Sequence, residues 1–171
     1  LLKLGFLVLS YFSSVNNIEA NENKDQPEKG YSKQIKGSVT TDKFMVSTAN
    51  PIATNTGYKV LRSGGSAIDA VVAIQMVLNV VEPQSSGIGG GAFILYWDSK
   101  TKQLYSFDGR ETAPKSLNSD YFITSDGRKK SFWEAVQGGG SVGVPGTLRL
   151  MEFVHQRYGI VDWSELFQPA I

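Results

Sequence analysis

The segment Phe107-Asp108-Gly109-Arg110-Glu111-Thr112-Ala113-Pro114 gathers the residue types most ready to do chemistry. A guanidinium offers a planar fork of donors that matches a carboxylate. Arg110 stands just past a glycine that lets the chain turn, between the acids Asp108 and Glu111. The end of a strand on a rigid sheet is where functional side chains are commonly presented. The competing reading is a surface ion pair with either acid, which would contribute little. The single histidine, His155, lies one position off the apolar stripe Leu150, Met151, Val154 and Tyr158, so it is expected on an exposed helix face beside Arg157. With no cysteine and one histidine, disulfides, thiolate chemistry and the usual metal-ligand spacings are excluded. Neither a Ser-His-Asp triad nor a glycosidase carboxylate pair can be assigned.

A second candidate is the glycine run in Ser85-Ser86-Gly87-Ile88-Gly89-Gly90-Gly91-Ala92. Gly87, Gly89 and Ala92 fit the spacing G-x-G-x-x-G/A of dinucleotide-binding turns. That turn needs a strand before it and a helix after it, because the helix N-terminus holds the pyrophosphate. Here a helix precedes and the apolar stretch 93–98 follows. A Walker loop is excluded too, since no Gly-Lys-Ser/Thr follows. The glycines are therefore read as a tight turn that leaves a buried helix and passes close under another backbone, and a nucleotide-binding module is set aside.

These positions must be held by an ordinary α/β core. The chain has 171 residues, 41% hydrophobic and 19% charged, enough for one domain. A net charge of +1 leaves no electrostatic footprint for nucleic acid or an anionic membrane. KFMVSTA (43–49) reads as a short strand. Asn50-Pro51 opens a helix over 51–62, with Ile52, Thr56, Val60 and Leu61 near one face, closed at Ser63-Gly64-Gly65. A second helix from Ser66 to about Val81 is apolar almost all round and so belongs inside; Glu82-Pro83 ends it. Strands 93–98 and 103–108 form a hairpin. The stretch 120–135 is irregular, with a turn at Asp126-Gly127. A second glycine cluster (138–146) leads into helix 147–158, closed by Gly159. A last helix starts at Asp162, with Glu165 completing a capping box; sheet edges are left unpartnered and this helix has no stop signal.

Residues 1–20 have one cation, Lys3, a short apolar run and the small residue Ala20, the layout of a secretory signal, so export to the periplasm or exterior is expected. Residues 21–38 are polar and mixed in charge and are expected to be a disordered linker. The folded part is then 39–171.

Taken together, MVSTANPIATNTGYKVLRSGGSAIDAVVAIQMVLNVVEP, SSGIGGGAFILYW, FDGRETAP, GVPGTLRL and the closing L-x-Q-P-A-I resemble the start of γ-glutamyltransferases, the glutathione hydrolases. The resemblance runs in unbroken order over roughly residues 44–171. It implies part of an N-terminal-nucleophile hydrolase fold, an αββα sandwich. It also implies a precursor that cuts itself to expose a nucleophilic Thr, and a γ-glutamyl substrate such as glutathione whose α-carboxylate is gripped by the Arg of D-x-R-E-x-A-P, here Arg110. No metal or organic cofactor is implied. The family's Thr-x-His-x-Ser type segment is not in this sequence, so no catalytic residue is assigned. The nucleophile is expected from a partner segment, without which the chain should be inactive. The alternative is a non-catalytic exported remnant of such an enzyme.

Overall fold

Asn50 and Pro51 start the first helix as their types dictate. The Asn50 side chain accepts the Ile52 N–H at 2.9 Å, and Pro51 fills a position whose N–H would lack a helical partner. In the computed structural model, which describes residues 37–171, helix α1 runs Pro51–Arg62. The expected signal, and all but the last two residues of the expected linker, lie outside the described residues. The inward face of α1 is Ala53, Thr56 and Gly57, whereas Ile52 is 59% exposed. The reason is the closeness of the next helix: a Cβ on Gly57 would lie 2.9 Å from Ile74 Cγ1.

Helix α2 spans Ala67–Val81 and begins with a complete capping box. The Asp69 N–H donates to Ser66 Oγ at 3.1 Å, and the Ser66 N–H donates to Asp69 Oδ2 at 2.7 Å. At its far end, buried Glu82 accepts the side-chain N–H of Asn50 at 3.0 Å, tying the start of α1 to the end of α2. Ile68, Val72, Ala73, Met76 and Val77 of α2 are buried, while Val80, next to the helix's C-terminal end, is exposed. Among the described residues no helix is long and apolar enough to cross a membrane.

The hairpin pairs β1 (Ala92–Asp98) with β2 (Gln103–Gly109), antiparallel, with Tyr96 opposite Tyr105. Its two faces differ. Ile94, Tyr96 and Phe107 pack against the helical core, whereas Phe93, Leu95, Trp97 and Leu104 are exposed. Residues 43–49 do not form the expected strand. They keep a strand's alternation, with Phe44, Val46 and Thr48 half-buried and their neighbours exposed, but no ladder partner lies beside them among the described residues. Residues 120–135 hold more order than expected: a bridge joins Ile123 and Lys129, and a short helix α3 covers Phe132–Val136. Ser131 and Glu134 cap it reciprocally.

Helix α4 (Thr147–Tyr158) lays Leu150, Met151 and Val154 on α2 and the hairpin. After it, Trp163–Ala170 forms a 3₁₀ helix, not the expected α-helix. The expected capping box is absent, because the Asp162 backbone carbonyl, not its carboxylate, accepts the Glu165 N–H at 3.0 Å. Leu166 reaches the common core, and burying each such side chain contributes about 1.5–3 kcal/mol.

His155 is not on an exposed face. Its side chain is 15% exposed, its Nε2 lies 2.8 Å from the Val161 carbonyl, and its ring packs 5.2 Å from that of Trp163. Asp69, fully buried, lies 3.5 Å from the same nitrogen and accepts the Ile160 N–H at 3.2 Å. The segment after α4 folds back onto the start of α2 and covers the ring, which no helical stripe can foretell.

Candidate carboxylate site

Strand β2 ends at Gly109, and Arg110 follows where the sheet stops. Three contacts hold this turn from behind. The Arg110 N–H donates to Asp108 Oδ1 at 2.9 Å. Thr112 and Val144 exchange backbone bonds of 2.8 and 3.3 Å. Both glycine clusters then close on the same few atoms. A Cβ on Gly91 would fall 2.7 Å from Arg110 Cα and 2.8 Å from the Glu111 nitrogen. One on Gly146 would overlap the Gly109 carbonyl oxygen and fall 3.1 Å from that of Arg110. Only a hydrogen side chain permits that approach.

The glycine run is a turn, as its place between α2 and β1 required. The Gly90 N–H donates to the Gly87 carbonyl at 3.1 Å. The Gly90 carbonyl in turn accepts the N–H groups of Gly146 and Thr147 at 3.0 and 3.1 Å, so it caps α4, whose N-cap residue has no side chain to do so. The first glycine cluster, the end of β2 and the start of α4 thus meet at one node around residues 109–112.

Arg110 lines two clefts that flank this node. The first, of ≈ 450 Å³, has an apolar wall of Phe107, Leu150 and Phe153 with Val144 and Arg149 beside it. The second, of ≈ 370 Å³, is lined by Thr112, Pro114, Leu117, Phe122 and Val142. Among the described residues the Arg110 guanidinium makes no ion pair: neither Asp108 nor Glu111 is within 4.0 Å of it. The surface-pair reading therefore does not hold in this structure. Arg149, the other guanidinium on the first cleft, bonds to Glu152 at 2.5 Å. A free planar fork beside an apolar wall can receive one carboxylate in bidentate fashion.

Arg110 stands out in the sequence, but what holds its backbone does not. Asp108 looked like an ion-pair partner for the guanidinium, and it serves the backbone instead. The spacing Asp-x-Arg, with the acid two residues before the N–H it accepts, was the available signal. Gly91 and Gly146 were recognised as glycines needed for shape, but their common target needs coordinates. Among the described residues, no group of three or more acids and histidines is placed to hold a metal ion.

Comparison with known proteins identifies what the chain is similar to. Residues 53–171 match the family model Gamma-glutamyltranspeptidase. The chain is 40% identical over 164 residues, 96% of its length, to the glutathione hydrolase proenzyme of Bacillus subtilis, and spans 28% of that relative. Its fold is similar to the γ-glutamyltranspeptidase of Helicobacter pylori, with a TM-score of 0.73 and 34% identity over 78% of this chain and 38% of that one. The enzyme from Pseudomonas nitroreducens gives a TM-score of 0.71 at 33% identity, over 77% and 38% of the two chains. The architecture is accordingly part of an α/β N-terminal-nucleophile hydrolase fold. The family-model match over residues 53–171 and these likenesses show that the chain belongs to the γ-glutamyltranspeptidase family and spans the N-terminal part of such enzymes.

Proposed function

We propose that this chain supplies the carboxylate-binding wall of a γ-glutamyl site, in which Arg110 holds the α-carboxylate of the substrate. The observation that carries this is that Arg110 lines two clefts and makes no ion pair among the described residues, on a turn fixed by backbone-level contacts. The reaction is transfer or hydrolysis of the γ-glutamyl group of glutathione and related compounds. Its nucleophile is a Thr on a segment outside this chain. The Thr hydroxyl oxygen bonds to the γ-carbonyl carbon while the Thr α-amine takes the hydroxyl proton. Backbone N–H groups stabilise the resulting oxyanion. The C–N bond then breaks, the leaving amine takes the proton, and water or an amino acid releases the glutamyl ester. Arg110 fixes the end of the substrate remote from the reacting carbon, so it sets which carbonyl faces the nucleophile.

The test joins residues 39–171 to the remainder of the Bacillus subtilis proenzyme and measures release from a γ-glutamyl anilide. The hybrid is expected to turn over, and Arg110→Lys is expected to raise KM about tenfold or more, since a point charge replaces a charged two-bond fork. An unchanged KM removes Arg110 from the site. A hybrid that neither assembles nor turns over supports the remnant reading. We further propose that residues 1–20 direct export, which fractionation of cells making the chain would check.

A further inference from the structure

We propose that Asp108 is a positioning residue for this site: its carboxylate holds the backbone of Arg110 and so aims the guanidinium. The proposal rests on the reading of Arg110 given above. Gly109 creates the need for it. A Cβ there would fall 2.5 Å from Leu150 Cβ, so close packing of α4 on the end of β2 demands glycine. That glycine stands immediately before the functional side chain and is the residue type with most backbone freedom. Unrestrained, it would let Arg110 sample many directions. Asp108 spans it, Oδ1 accepting the Arg110 N–H at 2.9 Å, and so closes the turn across the flexible residue.

The direction of the bond also matters. Asp108 and Arg110 have opposite charges two residues apart, and a direct ion pair would occupy the fork that the substrate needs. The carboxylate is given to the main chain, and the guanidinium stays unpaired among the described residues. Asp108 is exposed, opposite Phe93 in the hairpin register, so its truncation leaves no cavity in the core. It does not touch the reacting atoms and acts through Arg110.

The experiment uses the hybrid enzyme and reads KM and kcat for the γ-glutamyl anilide together with the thermal midpoint. Asp108→Ala is expected to raise KM about tenfold, the loss of one charge-assisted bond, with kcat changed less than about twofold and the midpoint little moved. Asp108→Asn keeps an acceptor oxygen and is expected to restore KM to within about threefold of the parent. On an Arg110→Ala background, Asp108→Ala is expected to add nothing, because the group it positions is gone. An equal rise on both backgrounds, or an Asn variant as impaired as the Ala variant, overturns the proposal. A normal KM for Asp108→Ala with a raised KM for Arg110→Ala overturns it while leaving the carboxylate site standing. A normal KM for Arg110→Ala removes the site itself.

Discussion

Asp69→Ala should be among the costly changes in this chain, and its effect can be worked from four contacts. The carboxylate is fully buried. It accepts the Ser66 N–H at 2.7 Å, shares the Ile160 N–H between both oxygens at 3.2 Å, and lies 3.5 Å from His155 Nε2. Removing it leaves two backbone donors without partners, each costing about 1–3 kcal/mol. A loss of about 3–5 kcal/mol is therefore expected, against a total of about 5–15 kcal/mol for an ordinary domain. Ser66→Ala removes only the bond from the Asp69 N–H to the cap hydroxyl and should cost about 1 kcal/mol. Urea unfolding followed by fluorescence measures both. Trp163 is the useful reporter, half-buried on the His155 ring, whereas Trp97 and Trp133 are exposed. An Asp69→Ala loss below about 1 kcal/mol, or one no larger than that of Ser66→Ala, would refute the assignment of this carboxylate as the link between α2 and the segment after α4.

Other outcomes follow from the glycine node and the α3 cap. Gly146→Ala forces a methyl into the Gly109 carbonyl and should cost about 1–3 kcal/mol, with a raised KM in the hybrid. Gly89→Ala, with nothing within 4 Å, should stay within about 0.5 kcal/mol; equal effects of the two in urea unfolding would dismiss the node. The Glu134 carboxyl is held well below the usual carboxylate range by the Arg128 guanidinium at 3.0 Å, then by the Ser131 backbone N–H and hydroxyl. A depressed folded value means that the cap's contribution is present above the ordinary range and lost as pH falls through the depressed one. The Ser131 amide signal in NMR should thus titrate below about 4.3, the value of a free Glu, and Arg128→Gln should bring the midpoint back up. A midpoint already at the free value in the parent protein would contradict the pairing.

Elements whose ends are written in local chemistry were legible in the sequence. Asn50-Pro51, Ser66 and Glu82-Pro83 bracket α1 and α2 where the structure has them, and strands rich in aromatic residues mark the hairpin. The errors arose where a distant partner decides. Residues 43–49 have strand composition, but a strand is defined by its neighbour. Helical spacing groups Ile52 with Thr56, Val60 and Leu61 on one face, yet the approach of α2 admits only Ala53, Thr56 and Gly57 inward. His155 was placed outward by its helical stripe, and chain beyond α4 covers it. Asp162 and Glu165 carry the letters of a capping box, while the 3₁₀ turn uses the main-chain carbonyl in its place. The opposite error occurred at α3, where Ser131 and Glu134 carried the same letters unread and do form the box. At the site, Arg110 stood out because a guanidinium between two acids is chemically conspicuous. Asp108, Gly91 and Gly146 did not, since their partners are main-chain atoms that have no letter.

The hairpin's uncovered side has a practical consequence. Phe93, Leu95, Trp97 and Leu104 make a greasy ribbon two strands wide, and among the described residues no further strand covers its rims, whose main-chain groups could pair with another copy. Residues 39–171 prepared without a companion would be adhesive, self-stacking at concentrations where most domains stay dispersed. Poor recovery of such a preparation would measure the stickiness of that ribbon and would say nothing against the helices having folded beneath it.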